Sequence, residues 1–217
     1  MREQVINSVK KEKLITIVRG VPKDKLIPLA EAMYSGGIRL LEITYSADGK
    51  ISDEETAANI KMLAEHFDGR MHIGAGTVLT EKQVELTKNA GGKFIISPDT
   101  NENVIKKTRE LGLVSMPGAL TPSEIQAAHR FGADFVKLFP VCSLGSEYVK
   151  AIKAPLSHID VLAVGGVHEK NMAEYLDAGA CGFGIGSNII DKKALSEGNY
   201  EAITELAKKF VSVVKGE

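Results

Sequence analysis

Apolar residues occur in short runs along the whole chain, and longer amphipathic segments lie between them. Short runs that are apolar at nearly every position are typical of strands buried on both faces of a parallel sheet. Eight runs are therefore predicted as strands: residues 14–19, 39–44, 71–76, 93–97, 113–117, 134–139, 160–165 and 181–186.

The segments between these runs have the pattern of amphipathic helices. Clear examples are residues 25–37, 80–92, 122–132 and 169–180, each with a glycine at or near its end, where helices commonly stop. The sequences "LTEKQ", "DTNEN" and "LTPSE" place Thr, Ser or Asp at helix N-cap positions. The charged, amphipathic residues 2–12 are predicted to form a helix that covers the bottom of the fold.

Eight strands that alternate with helices are the layout of an α/β fold of the (β/α)8, or TIM-barrel, type. An open, doubly wound sheet also alternates strands and helices, but it normally has fewer strands. The glycine motif G-x-G-x-x-G that such sheets often carry does not follow the first strand here. No linker-like composition or charge run divides the chain, so we predict one barrel domain over residues 1–217.

Net charge and cysteine content indicate which kinds of ligand and which compartment to expect. The net charge is -1, and the absence of a basic excess argues against a nucleic-acid or membrane surface and favours a small neutral or anionic ligand. The first residues lack a secretory signal, no apolar window is long enough to span a bilayer, and two separate cysteines, Cys142 and Cys181, suit a reducing compartment. We expect a cytoplasmic protein, and the five histidines show no metal-binding spacing, so neither a metal nor a cofactor is predicted.

The barrel prediction says where chemistry should occur, because TIM-barrel active sites lie at the C-terminal ends of the strands. At those ends the sequence places one acid, one lysine, one arginine, hydroxyl groups and glycine-rich turns. The residues expected to contact substrate there are Arg19, Thr77, Pro98, Gly165, Gly166, Gly186 and Ser187.

Among the ionisable residues of the predicted strands, a lysine and a glutamate stand out. Lys137 stands in the apolar run "ADFVKLFP", and a desolvated lysine lowers its pKa and becomes a neutral amine. Glu42 stands in "LLEIT", between two apolar residues. The two side chains form either a structural buried ion pair or a catalytic pair, since perturbed ionisable groups cluster at functional sites. We favour the catalytic interpretation.

Glycines follow the last two predicted strands, in "AVGGV" (163–167) and "FGIGS" (183–187). In barrels of this type, these two loops often bind phosphate through backbone N–H groups and a short helix N-terminus. The alternative is that they are tight turns without a ligand. Ser187 would either donate a hydroxyl hydrogen bond or cap the next helix.

Seven motifs occur in a specific order: "GGIRLLEIT", "IGAGTVLT", "FIISPDT", "MPGALTPSE", "VKLFP", "VGGV" and "GIGS". Together they resemble the class I aldolases that cleave 2-keto-3-deoxy-6-phosphogluconate (KDPG), with 4-hydroxy-2-oxoglutarate (KHG) as a related substrate. The resemblance extends from about residue 14 to residue 210.

The resemblance implies roles for particular residues. Lys137 matches the lysine that forms a Schiff base with the keto acid, and Glu42 matches the glutamate that moves protons. Thr77 matches a threonine that helps to bind the pyruvate part, and Arg19 matches the arginine that ends the first strand. The family also implies a sugar-acid phosphate as substrate, pyruvate and an aldehyde as products, and a homotrimer.

Two positions depart from the family pattern. Ser46 stands where many members have an arginine, and Val164 stands where many have a threonine after the seventh strand. Both are candidate specificity residues, because the loss of a hydrogen-bond donor changes which substrates a pocket accepts. Two other functions stay open: an isomerase or epimerase without a covalent intermediate, and a sugar-phosphate-binding barrel without catalysis.

Overall fold

The computed structural model describes residues 1–216, which form one nine-stranded sheet surrounded by helices. All neighbouring strands are parallel, in the order β5-β4-β3-β2-β1-β9-β8-β7-β6. The strands are β1 Leu14–Val18, β2 Leu40–Thr44, β3 His72–Gly76, β4 Phe94–Ile96, β5 Val114–Met116, β6 Gly118–Ala119, β7 Val136–Leu138, β8 Val161–Val164 and β9 Gly182–Ile185.

The barrel closes at Pro117, the last residue of the predicted fifth strand, where β5 ends and a further short strand, β6, follows. Proline has no backbone N–H, so it interrupts a strand ladder. Before it, β5 pairs with β4; after it, β6 pairs with β7. The Pro117 carbonyl still accepts a hydrogen bond from the Lys137 N–H at 2.8 Å, which joins the two edges. The predicted TIM barrel is confirmed, with one of its eight strands present as two pieces.

Helices follow the strands along the chain. They are α1 Arg2–Glu12, α2 Lys23–Ser35, α3 Asp53–His66, α4 Glu81–Asn89, α5 Glu102–Glu110, α6 Pro122–Phe131, α7 Gly145–Lys153, α8 Met172–Asp177, α9 Lys192–Glu197 and α10 Tyr200–Lys215. Thr80 and Thr121 cap α4 and α6 as predicted, each in a reciprocal capping box. The cap of α5 is Asn101, one residue after the predicted threonine.

Side chains alternate along each strand, so every second residue points into the barrel. The inward residues of the lower layers are apolar and form one buried cluster with the N-terminal helix: Val5, Val9, Ile15, Leu40, Phe94, Ile96, Val114, Met116, Phe135, Leu162 and Val164. Because Val5 and Val9 of α1 belong to this cluster, α1 covers the bottom of the barrel, as predicted.

A buried carboxylate fastens α1 to the same end of the barrel. Asp134, just before β7, accepts hydrogen bonds from the Arg2 side chain, from Arg109 Nη1 at 2.8 Å and from the Ser115 N–H at 2.9 Å. Its side chain is only 6% exposed. Three donors therefore satisfy this carboxylate, and they connect α1, α5 and β5.

Among residues 1–216, none of the helices combines the length and the apolar composition required to cross a bilayer. In that same part of the chain, no three histidine, cysteine, aspartate or glutamate side chains come together as they would around a metal ion.

Candidate active site

Lys137 lies on β7 and points into the top of the barrel, where it is 7% exposed. Its Nζ lies 4.8 Å from the centre of the Phe139 ring. The sequence neighbours Val136 and Leu138 pack outward against the helices, so they do not shield the amine as the apolar run suggested. Apart from Phe139, the shielding side chains come from other strands: Ile17, Ile96, Leu162 and Val164 line the gap below the amine.

Glu42 lies on β2, points into the same gap and is 1% exposed. Its Oε2 has no hydrogen-bond partner. A β-carbon at Gly76 of β3 would collide with the carboxylate, so the glycine provides the space that Glu42 occupies. Within residues 1–216, no Lys137–Glu42 salt bridge is shorter than 4.0 Å, which argues against the structural ion pair.

Burial governs the electrostatics of both groups. It raises the pKa of Glu42, although the charges of Lys137 and Arg19 act in the opposite direction. It lowers the pKa of Lys137 against the opposing charge of Glu42, and the positive charge of Arg19 lowers it further. Both groups are therefore driven towards their neutral forms, and a neutral amine is the form that attacks a carbonyl group.

Arg19 and Thr77 form a second, polar part of the site. Arg19 follows β1, and its Nη2 donates a hydrogen bond to Thr77 Oγ1 at 3.1 Å. Thr77 follows β3 and has a φ of 55°, a left-handed conformation that is strained for a β-branched residue. Such strain is found most often at functional sites.

These side chains surround one cavity of about 480 Å³ at the top of the barrel. It is lined by Ile17, Arg19, Glu42, Ala47, Thr77, Leu79, Pro98, Lys137, Phe139, Val164, Gly165, Gly166, Val167, Gly184, Ile185, Gly186, Ser187 and Asn188. All the predicted catalytic and substrate-contact residues are thus brought together, and so is Val164. Ser46 is absent from this lining; its Oγ donates a hydrogen bond to Asp48 at 2.5 Å, and its neighbour Ala47 faces the cavity instead.

The two glycine turns form one wall of the cavity. Gly165 and Gly166 have φ values of 97° and 75°, and a β-carbon at Gly166 would collide with Cys142. At Gly186 a β-carbon would meet no atom closer than 3.6 Å, so that position does not require glycine. Ser187 does not cap the next helix, because Asp191 caps α9. The helices α8 and α9 begin several residues after these turns, so neither of their N-termini stands directly at the wall.

Leu79, Phe139 and Asn188 are among the cavity residues that the sequence did not assign to the site. Phe139 was predictable, since the two-residue period of a strand places it on the same face as Lys137. Leu79 and Asn188 lie in turns after β3 and β9, where no periodic pattern shows the direction of a side chain.

A family model described as KDPG and KHG aldolase matches residues 5–206. The chain belongs to this aldolase family. A probable 2-dehydro-3-deoxy-6-phosphogalactonate aldolase of Rhizobium meliloti is 37% identical over 197 residues, covering 89% of this chain and 90% of the relative. Family membership makes the protein an aldolase, and thus a lyase that acts on small molecules.

Solved structures give the same result. One described as native KDPGal has a TM-score of 0.84 and 32% identity over 94% of both chains. The KDPG aldolase of Legionella pneumophila, with pyruvate captured at low pH as a covalent carbinolamine intermediate, has a TM-score of 0.83 and 28% identity. That match covers 94% of this chain and 96% of the Legionella chain. Both structures share the barrel and nearly its full length.

Proposed function

We propose that this aldolase reversibly cleaves a 6-phosphorylated 2-keto-3-deoxy sugar acid to pyruvate and an aldehyde such as glyceraldehyde 3-phosphate, through a Schiff base on Lys137. The observation that carries the proposal is the buried amine of Lys137, which shares a cavity with the buried, unpartnered carboxylate of Glu42. We also propose, from the family resemblance, that the enzyme is a cytoplasmic homotrimer.

In the first step, the neutral amine of Lys137 attacks the C2 carbonyl of the keto acid. A carbinolamine forms, the neutral carboxyl of Glu42 donates a proton to its hydroxyl group, and water leaves. The products are an iminium ion and ionised Glu42. The lowered pKa of Lys137 favours this step, because more of the amine carries a free electron pair at neutral pH. The covalent carbinolamine in the Legionella aldolase supports the same first step by analogy.

In the second step, ionised Glu42 accepts the proton of the C4 hydroxyl group, directly or through a water molecule, while the C3–C4 bond breaks. The electron pair of that bond moves to C3, and the iminium becomes an enamine as the aldehyde leaves. Glu42 then returns a proton to C3, and hydrolysis of the new iminium releases pyruvate and free Lys137. The raised pKa of Glu42 makes it a better proton acceptor than an ordinary carboxylate.

The Arg19–Thr77 pair and the glycine turns would bind the two ends of the substrate. Arg19 and Thr77, joined by their hydrogen bond, would hold the carboxylate of the pyruvate part, with Pro98 beside them in the wall. The glycine turns and Ser187 would bind the terminal phosphate. Val164 offers no hydrogen-bond donor to the middle of the substrate, and we propose that it influences which C4 epimer is accepted. Ser46 would act on specificity only through the conformation of its loop.

Trapping tests the covalent step. The enzyme is incubated with pyruvate and borohydride, and the adduct is located by mass spectrometry. One adduct on Lys137 is expected, and Lys137→Met should abolish it. No adduct in the wild type, or an adduct on another lysine, would contradict the proposal and favour an isomerase or epimerase.

A panel of substrates tests whether the natural substrate is phosphorylated and which sugar-acid series it belongs to. It pairs phosphorylated and unphosphorylated 2-keto-3-deoxy acids of both the gluconate and the galactonate series. We expect kcat/KM to be at least about tenfold higher for the phosphorylated member of each pair, because a dianion forms strong hydrogen bonds with several N–H groups. Saturable binding without turnover of any member would indicate a non-catalytic binding barrel.

A further inference from the structure

The two glycine turns are joined by one side chain that no sequence pattern indicated. Asn188, in the turn after β9, donates a hydrogen bond from Nδ2 to the backbone carbonyl of Val167, in the turn after β8, at 2.8 Å. Both residues line the catalytic cavity. A single carboxamide thus fixes the distance between the two turns.

A second carboxamide holds the other peptide groups of the same turn. Asn171 Nδ2 donates to the Gly166 carbonyl at 3.2 Å, and Asn171 Oδ1 accepts from the His168 N–H at 2.8 Å. In a trans peptide the C=O and N–H groups point in opposite directions. The Gly166 carbonyl points towards Asn171, so the Val167 N–H of the same peptide points away from it. The next peptide is held on both sides, because Asn188 binds its Val167 carbonyl and Asn171 binds its His168 N–H.

Several backbone N–H groups of these turns are free to bind a ligand. In the part of the chain that the structure describes, the N–H groups of Gly166, Val167, Ser187 and Asn188 donate to no protein acceptor. All four residues line the cavity. Free backbone N–H groups of neighbouring turns that line one cavity can bind an anion.

We propose that Asn188 is a positioning residue for the terminal phosphate of the substrate. Its hydrogen bond to Val167 sets the spacing at which the free N–H groups of both turns reach one phosphate. This inference rests on the proposed function, since it assumes a phosphorylated substrate. Asn188 is itself exposed and joins two turns, not two core elements, so its loss should weaken anion binding and leave the barrel intact.

Binding measured without catalysis tests this directly. Glycerol 3-phosphate is titrated into the wild type and into Asn188→Ala by calorimetry, with glycerol as the ligand control. Asn89→Ala is the matched protein control, because Asn89 is an exposed asparagine at the end of α4. We expect Asn188→Ala to weaken binding about tenfold, the effect of about one hydrogen bond, and Asn89→Ala to leave it unchanged.

A second variant separates positioning from simple space filling. Asn188→Asp cannot donate to the Val167 carbonyl, and its charge repels phosphate, so it should bind glycerol 3-phosphate more weakly than Asn188→Ala. In kinetics, Asn188→Ala should raise KM about tenfold for the phosphorylated substrate, with kcat within twofold of the wild type. KM for the unphosphorylated substrate should not change.

Three results would overturn the inference. They are no binding of glycerol 3-phosphate to the wild type, binding by Asn188→Ala within twofold of the wild type, and an equal rise in KM for the phosphorylated and the unphosphorylated substrate. Pyruvate trapping on Lys137 is measured in the same variants. Failure of trapping in the wild type would overturn the aldolase mechanism alone, because the calorimetric result does not depend on it.

Discussion

Two buried carboxylates lie at opposite ends of this barrel, and their surroundings differ. Asp134, at the bottom, accepts hydrogen bonds from Arg2, Arg109 and the Ser115 N–H. Glu42, at the top, is more deeply buried, yet its Oε2 has no partner. Burial raises the pKa of both, but at Asp134 the donors Ser115 and Arg2 oppose the rise by binding the ionised form directly.

The difference separates a structural charge from a reactive one. A buried charge with all its hydrogen bonds made is held in one place and one protonation state. A buried charge without them is costly to the fold, and it persists where a proton or a substrate group is to be exchanged. Substitutions at the top should therefore reduce activity and leave stability intact, and substitutions at the bottom should do the reverse.

The largest expected effect is a fall in kcat caused by a substitution at the top of the barrel. Glu42→Gln keeps the shape but removes the proton acceptor, and we expect kcat to fall about 10²- to 10⁴-fold, the usual contribution of a general base. Steady-state kinetics measure this loss, and pyruvate trapping on Lys137 should persist. Glu65→Gln, an exposed change on α3, serves as the control.

Stability of the same variant has a defined pH dependence. Because the pKa of Glu42 is raised in the folded protein, the folded state binds its proton more tightly than the unfolded state. The cost of ionising Glu42 therefore appears as the pH rises above its ordinary value of 4.5. The melting temperature of Glu42→Gln at pH 8 should not fall below that of the wild type; a clear fall would mean that Glu42 is structural.

An intermediate effect is expected at Thr77. Thr77→Gly removes the partner of Arg19, so KM for the keto acid should rise about tenfold, which corresponds to about one hydrogen bond. It also relieves the left-handed strain, so the free energy of unfolding should increase by about 0.5–1 kcal/mol. Lys13→Gly is a matched control, because Lys13 has a φ of 59° at the end of α1. A stabilised Thr77→Gly enzyme with unchanged KM would remove Thr77 from the binding site.

The smallest effect on activity is expected at the bottom. Asp134→Ala leaves the Ser115 N–H and two arginines without their acceptor, so the free energy of unfolding should fall by about 2 kcal/mol. This corresponds to a drop in melting temperature of about 4–8 °C for a chain of this size. At 25 °C, kcat and KM should stay within twofold of the wild type. Asp68→Ala, an exposed change, is the control, and a large loss of activity in folded Asp134→Ala would break the distinction between the two ends.

Much of the fold was predictable from local pattern. Near-continuous apolar runs placed every strand except β6, and glycine and threonine placed many helix ends. The division of the fifth strand was missed because it depends on which neighbour each side of Pro117 pairs with, and pairing is not a local property.

The residues of the site at the strand ends were also predictable from the sequence, but their contacts with other strands and turns were not. Strand ends located Lys137, Glu42 and Arg19 at one mouth, since parallel strands end at the same side of a barrel. Most of the apolar shell of Lys137 was misassigned to its sequence neighbours, because apart from Phe139 the shell comes from three other strands. Ser46 and Asn188 lie in turns, where hydrogen bonds to Asp48 and Val167 decide the direction of the side chain.

The central claim is that burial makes Lys137 a neutral, reactive amine, and its titration tests that claim most directly. NMR of the enzyme with isotope-labelled lysine, compared with Lys137→Met to assign the signal, gives the pKa of this single amine. We predict a value clearly below the ordinary 10.5, because burial disfavours the charged form of this amine. A Lys137 that titrates at or above 10.5 would show that Glu42 stabilises a permanent ammonium ion, and it would contradict the account.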